Sequence, residues 1–418
     1  IRITRSVEGQ RRWRATRALD RKSRRSKIRS STMSLDARKK QTAKASRAFA
    51  KKARNKEWLR ERNEKIAKGI AKAKREAKKL ELKNSFKNLR KKMKDRVPEA
   101  IAYAKAAIAD KERKRHNRWI RLAAHRFMND LERAKQKGNP FRFSADEANA
   151  ACAFIELCPH VEGTWDTPNI KLVPAQIFFV VNLFGFRNLR GGRRFNTALF
   201  AVARKNAKST LAAAIMLYIM CEEREEGAQL FSAATTGDQA RIVWKIAKAM
   251  LEKSHEMQRA YGVEAYANVI KRYENNAEYK PINAKASTQD GLNPSAVTFD
   301  ELHAHKTHDL MNVLTSAEGA RDNPFFLYTT TEGYETTGPW PEIRQFAQNI
   351  LKGIVEADHF FAVYYSVDEE DKSEGIVADE DFDESSYRKA NPLYDYNYKL
   401  REKMGQLATE AKLMPGKL

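Results

Sequence analysis

The stretch "ALFAVARKNAKST", residues 198–210, decides how the rest of the chain is read. An apolar, β-prone run gives way to a basic turn holding Arg204, Lys205, Asn206, Lys208 and Ser209. The turn leads into "TLAAAIMLYIMCEE", residues 210–223, which reads as a helix. A strand that stops and restarts as a helix aims backbone N–H groups and the positive helix end at one point, which suits an anion. In phosphate loops of this kind a lysine reaches the terminal phosphates and the next hydroxyl holds magnesium; Lys208 and Ser209 have that spacing. Val202 and Ala207 stand where glycines usually sit. Alanine is comfortable at position 207 if its φ is negative and strained if its φ is positive. By itself the stretch fits either a phosphate loop or an ordinary turn with a basic rim.

Three further elements narrow the choice. "SAVTFDELHAH", residues 295–305, sets a short β-prone run directly before adjacent carboxylates Asp300 and Glu301. Two acids at the end of a buried strand suit an ATPase, one holding the magnesium shell and the other orienting and deprotonating water. Between the basic turn and these acids, "AQLFSAATTGDQARIVWKIAKAML" reads as one strand and one helix, as in ATPases with an extra strand between the phosphate strand and the acidic strand. "FLYTTTEG" ends a strand in Thr329, Thr330 and Thr331, where translocating ATPases place hydroxyls that sense the γ-phosphate. Upstream, "IKLVPAQIFFV" offers Gln176 as an amide able to read adenine.

Charge is distributed unevenly. Of 79 basic and 53 acidic residues, the first hundred positions hold 37 and 10, leaving 42 and 43 for the remainder. Residues 1–95 are therefore read as a basic arm, disordered or loosely helical, suited to contact with a polyanion such as nucleic acid. Met33 is the first methionine, and residues 1–32 are set apart as a segment ahead of a native start. The longest apolar runs fall well short of the ~20 residues a membrane span needs, so no membrane role is expected. Cys152, Cys158 and Cys221 form no C-x-x-C pair and read as buried thiols.

Folded structure is expected from about residue 96. Residues 96–165 form a helical lead-in, with Trp119, Leu122, Phe127, Met128 and Leu131 on one face and Gly138 as a stop, followed by a helix capped by Ser144 with Glu147. From 166 to 365, short apolar runs alternate with helical stretches, predicting an α/β fold with a mainly parallel sheet covered by helices on both faces. Residues 366–418 are read as a linker, and the acidic run Asp368–Asp371 as solvated. His303, His305 and His308 lack a fourth ligand at zinc spacing and are expected to orient the acidic loop or contact DNA.

Taken together, these motifs resemble the large terminase subunit of tailed double-stranded DNA viruses. The resemblance is carried by "VARKNAKST", "SAATTGDQARIVW", "DGLNPSAVTFDELHAHKTHDL", "YTTTEG" and "FFAVYYSVDEEDKSE", in the family's order over roughly residues 100–418. The family has glycine where this chain has Ala207. The resemblance implies a P-loop ATPase binding ATP and Mg²⁺ through Gln176, Arg204, Lys205, Asn206, Ala207, Lys208, Ser209 and Thr210. Lys208 would neutralise the β- and γ-phosphates, Ser209 and Asp300 would hold magnesium, Glu301 would activate water, and Arg204 would approach the γ-phosphate. Thr329–Thr331 would couple hydrolysis to DNA movement. It further implies a virus-encoded packaging motor in the host cytoplasm, working on double-stranded DNA with a portal protein and a small terminase subunit, as a homo-oligomeric ring. A trans-acting arginine is implied, with Arg241 and Arg321 as candidates. The family's nuclease is not recognised before Leu418, so ATPase but not endonuclease activity is expected. The alternative is another P-loop translocase or helicase-like ATPase on nucleic acid.

Overall fold

The computed structural model of the chain describes residues 93–414, except 164, 224, 284–291, 317–320, 333–336 and 381–382, together with scattered positions from 36 to 72. Two compact units are present, Ile1–Phe86 and Lys87–Leu418. In the first, residues 36–48 are helical and almost wholly exposed, in keeping with a basic helix that has no apolar face to bury. Residues 1–32, set apart above, lie outside the described residues.

The second unit opens with α1 (Val97–Ala109), α2 (Arg118–Arg133), β1 (Phe141–Phe143), α3 (Ala145–Leu157), α4 (Pro174–Gly185) and β2 (Phe186–Asn188). Then come β3 (Thr197–Ala201), α5 (Lys208–Glu222), β4 (Gln229–Ala234), α6 (Gly237–Lys253), α7 (His255–Tyr261), β5 (Val263–Ala265), β6 (Ile270–Arg272) and β7 (Ala277–Asn283). The chain continues with β8 (Ala296–Phe299), α8 (Asp309–Ser316), β9 (Phe325–Thr330), α9 (Pro339–Leu351), β10 (Phe360–Tyr364), α10 (Glu384–Ala390) and α11 (Tyr398–Leu413). An eight-stranded sheet has the order β10-β3-β9-β8-β4-β7-β6-β5. β10 through β7 run parallel, and β6 and β5 add an antiparallel extension that the sequence reading lacked. β8, β9 and β10 are buried at every position, as expected for strands covered on both faces.

Sheet order corrects one inference. The strand between the phosphate strand β3 and the acidic strand β8 is β9, the threonine strand, while β4 lies on the far side of β8. Chain order suggested β4 because sequence distance does not report which crossover a strand makes.

The central helix α5 is buried at every position from Leu211 to Cys221, so the turn before it is anchored by a fully apolar element. Burial pushes the thiols of Cys152, Cys158 and Cys221 up, and all three are free, as read. In α2 the buried face is Ile120, Ala123, Ala124 and Phe127 with Trp119, while Leu122, Met128 and Leu131 are only half-buried. Ser144 accepts from the Glu147 amide at 3.4 Å, as its spacing predicts.

The lead-in helices belong to the core of the second unit. Asn117 caps α2 by accepting from the Ile120 amide at 2.9 Å, and its side-chain nitrogen donates to the carbonyls of Tyr364 at 3.1 Å and Ser366 at 2.9 Å. Arg126 donates to the carbonyls of Phe360 and Ala357. The edge strand β10 is thereby covered, which protects it from edge-to-edge pairing.

The acidic run is only partly solvated: Glu369 and Glu370 are exposed and Asp371 is half-buried, but Asp368 is not solvent-facing. Asp368 is 2% exposed, accepts from the Arg118 amide at 2.8 Å, and pairs with Lys389 Nζ at 3.1 Å and Arg113 Nε at 3.3 Å. Lys389 also bonds Asp379. An acidic run reads as solvated when its cationic partners are distant in sequence, and here Arg113 and Arg118 come from the lead-in region. Asp368→Ala should therefore destabilise the second unit by about 3 kcal/mol, because it strands a buried lysine and an amide. Urea unfolding midpoints of the two proteins measure this.

Candidate active site

The basic turn, the acid pair and the threonine run meet at the carboxyl ends of β3, β8 and β9. β3 and β9 pair in register, Ala201 opposite Thr330, and the Val202 amide continues the ladder by donating to the Thr330 carbonyl at 3.0 Å. β8 and β9 pair with Phe299 opposite Tyr328. The threonine strand thus separates the two catalytic strands and touches both loops.

The turn itself is held from within. Asn206 is 1% exposed and its side-chain nitrogen donates to the Ala203 carbonyl at 3.0 Å and to Asn391 Oδ1 at 2.7 Å. Its Oδ1 accepts from the Leu393 amide at 3.1 Å. Lys205 and Ala207 both adopt left-handed backbone, at φ 69° and 56°. Ala207 is the residue immediately before α5 and its carbonyl accepts from the Leu211 amide at 2.9 Å. Of the two outcomes open at position 207, the strained one holds.

Lys208 is 7% exposed, and its Nζ lies 2.9 Å from Glu301 Oε2 and 3.4 Å from Asp300 Oδ1. Asp300 is 4% exposed; its Oδ2 accepts from Ser209 Oγ at 3.2 Å and its Oδ1 from Thr329 Oγ1 at 2.8 Å. One carboxylate therefore joins all three loops. Glu301 follows in left-handed backbone, φ 51° and ψ 51°, which turns the chain out of the sheet and sets its carboxylate against Lys208. Strain of this kind at a non-glycine residue collects at functional sites.

His303 supports the acidic loop. Its ring Nδ1 lies 3.1 Å from Thr330 Oγ1 and 3.3 Å from Glu301 Oε2, and its amide donates to Thr330 Oγ1 at 3.1 Å. His305 is 3% exposed and packs edge-on against Phe299, and His308 lies 3.5 Å from Glu342. His303 therefore contacts both the threonine strand and Glu301, and His305 packs behind the acid pair. Gly338, at φ 87°, passes so close that a Cβ there would stand 2.2 Å from the His305 carbonyl oxygen.

A cavity of about 800 Å³ opens over the turn, lined by Arg204, Lys205, Ala207, Lys208, Ser209 and Thr210 together with Glu301, His303 and Thr331. Arg204 and Lys205 are exposed at its rim. Gln176 is not among its lining residues. That side chain is 5% exposed and accepts from the Val173 amide at 3.2 Å, satisfying the free N–H at the start of its own helix, where Pro174 supplies none. Arg321 donates to the carbonyls of Asn293 and Gly227, at the opposite end of β4 and β8, so it is a structural arginine remote from the turn. Arg241 is half-buried and donates to Asn268. The sequence reading missed Asn391 behind the turn and Trp165, Gln239, Asn397, Lys399, Leu400 and Lys403 around the cavity. Asn397 three residues before Leu400 is a helix-cap signal that could have marked α11, and the structure shows Asn397 accepting from the Leu400 amide.

A basic turn, an acid pair and hydroxyls meeting at one helix start suit a phosphate anion and its metal ion. Residues 174–349 match the family of the terminase large subunit, ATPase domain. Over those residues the chain is similar to terminase large-subunit ATPase domains. The large terminase subunit of Enterobacteria phage HK97 is 29% identical over 184 residues, covering 43% of this chain and 36% of that protein. The protein YmfN of Escherichia coli strain K12 is 36% identical over 91 residues, 22% of this chain and 20% of that one. The crystal structure of the HK97 bacteriophage large terminase has the same fold, with a TM-score of 0.53 at 22% identity over 64% of this chain and 52% of that chain. This chain thus spans only about a third to a half of the length of these HK97 proteins.

Two outcomes follow from this geometry. Glycine relieves left-handed strain, so Ala207→Gly should raise stability by about 1 kcal/mol or less, read as a higher thermal midpoint. Burial holds His116, His160, His303 and His305 below the ordinary histidine value of 6.5; at His303 burial is the largest cause, opposed by the Glu301 charge and assisted by Lys208 and Arg204. Above pH 6.5 these groups are neutral in both states and contribute nothing to the pH dependence. As pH falls below 6.5 the unfolded chain takes up protons that the folded one refuses, so stability is lost. Urea denaturation should give a lower free energy at pH 5.5 than at pH 7, and His303→Asn should shrink that difference.

Proposed function

We propose that this chain hydrolyses ATP to drive double-stranded viral DNA into a procapsid, as the motor subunit of a packaging machine. The observation that carries the reading is the Asp300 carboxylate, bonded at once to the turn through Ser209 and to the threonine strand through Thr329, with Glu301 beside it on Lys208. The buried Lys208 Nζ and Glu301 Oε2 approach without hydrogen-bond alignment, so both keep unsatisfied capacity in a buried site. A cation and acids in that condition, at the start of a buried helix, fit a magnesium-bound triphosphate.

Ser209 and Asp300 would hold Mg²⁺, which when bound supplies positive charge shared between phosphate oxygens. Lys208 neutralises the β- and γ-phosphates. Glu301 orients the attacking water and accepts its proton, with His303 fixing the loop that presents it. Arg204, exposed at the cavity rim, stabilises charge that develops on the γ-phosphate. Lys205, Asn206, Ala207 and Thr210 shape the turn through backbone and the Asn206 anchor. Gln176 can read adenine only if its amide leaves the Val173 N–H it now satisfies.

Coupling runs through β9. Thr329 binds Asp300, Thr330 binds His303, and Thr331 faces the cavity, so the three hydroxyls report the state of the acid loop to one strand. Double-stranded DNA, a portal protein, a small terminase subunit, assembly as a homo-oligomeric ring and action in the host cytoplasm belong to the same proposal. Among the described residues, no helix is long and apolar enough to cross a membrane. Another nucleic-acid translocase would share the site; the terminase-family match favours packaging.

Glu301→Gln should keep ATP binding and lose hydrolysis by about 10²–10⁴-fold, since the amide cannot accept the proton. Lys208→Ala should weaken ATP binding itself by about tenfold or more, roughly 1.4 kcal/mol. Nucleotide titrations and phosphate-release assays separate the two, and parent-rate hydrolysis by the Glu301→Gln variant would refute the role given to this acid.

A further inference from the structure

The roof of the cavity comes from the segment that follows α10. Asn391 and Leu393 are bonded to Asn206 at the crown of the turn, and the Ala203 amide donates to the Ala390 carbonyl at 3.4 Å. From this anchor the chain runs to Asn397, Lys399, Leu400 and Lys403, which line the cavity together with Lys208 and Ser209 of the turn. Leu400 is 6% exposed and pins α11 in place, while Lys399 and Lys403 are exposed one helical turn apart.

Like charges spaced i and i+4 on a helix repel. Among the described residues neither Lys399 nor Lys403 has an acidic partner within ion-pairing distance, although Lys248, Arg388 and others in the same unit do. The cavity they line already holds Arg204, Lys205 and Lys208, against Glu162 and a Glu301 that is paired to Lys208. Five cations around one opening, one turn of helix contributing two of them, make a surface whose repulsion is relieved by a compact polyanion.

We propose that Lys399 and Lys403 are phosphate-binding residues, completing from the roof the polyphosphate site whose floor is the basic turn. The proposal rests on the nucleotide reading of that turn. A nucleoside triphosphate is the ligand class, because the two lysines line the same cavity as Lys208 and Ser209, and because Asn206 fixes the distance between floor and roof.

The test compares the full chain with the double variants K399Q/K403Q and K399R/K403R and with Lys208→Ala, measuring binding of ATP, ADP and AMP with Mg²⁺ and binding of a duplex DNA. Loss of both charges should weaken ATP binding at least fivefold, weaken AMP binding less, flatten the salt dependence of ATP binding, and leave the thermal midpoint of the nucleotide-free protein in place. The arginine pair should restore ATP binding. Parent-like ATP affinity in K399Q/K403Q alongside weakened binding in Lys208→Ala would overturn the roof and spare the turn. Parent-like affinity in Lys208→Ala would instead overturn the nucleotide reading beneath it. Loss of DNA binding with ATP binding unchanged would also overturn the proposal, assigning the lysines to a nucleic-acid backbone.

Discussion

The Asp300 carboxylate is the constraint on which the site depends. It is buried and has two oxygens, and each is taken by a hydroxyl from a different element, Ser209 at the start of α5 and Thr329 on β9. A buried carboxylate requires such partners, because desolvation without hydrogen bonds is expensive. Meeting that requirement forces β3, β9 and β8 into one register at their carboxyl ends, which is also where Lys208 must sit to face both acids. The geometry that stabilises the acid is the geometry that assembles the centre.

Around this point the sheet supplies rigidity and the loops supply strain. β8 and β9 are buried throughout and α5 is apolar along its length, so the loop ends cannot drift. Lys205, Ala207 and Glu301 are nevertheless held in left-handed backbone without glycine. Such positions persist only where surroundings over-determine them. At the turn those surroundings are the Asn206 bonds, and at the acids they are the Lys208 pair and the His303 contacts.

Local patterns in the sequence were enough to place Lys208, Ser209, Asp300, Glu301 and the threonine run, because each depends on a strand end and the residues just beyond it. The capped helix at Ser144 and the helix α5 were legible for the same reason. What depended on distant pairing was not. The insertion of β9 between β3 and β8, the antiparallel β5–β7 extension and the packing of residues 366–414 all require knowing which segments meet. Asp368 shows the difference: its neighbours in sequence are acidic, but its neighbours in space are Arg113, Arg118 and Lys389. Gln176 shows the converse, since a well-placed amide was already engaged by the backbone of its own helix.

Gly338 gives the site a mechanical property. The absence of a side chain lets the start of α9 rest directly on the His305 carbonyl, with no room for even one carbon between them. Hydrogen bonds stretch and can be exchanged with water, but two backbones in contact can only push. A displacement of the acid loop toward α9 is therefore passed on without slack, as compression, whereas a displacement away from it meets no such stop. The contact is a one-sided steric stop, and a Cβ at position 338 would require one of the two elements to shift.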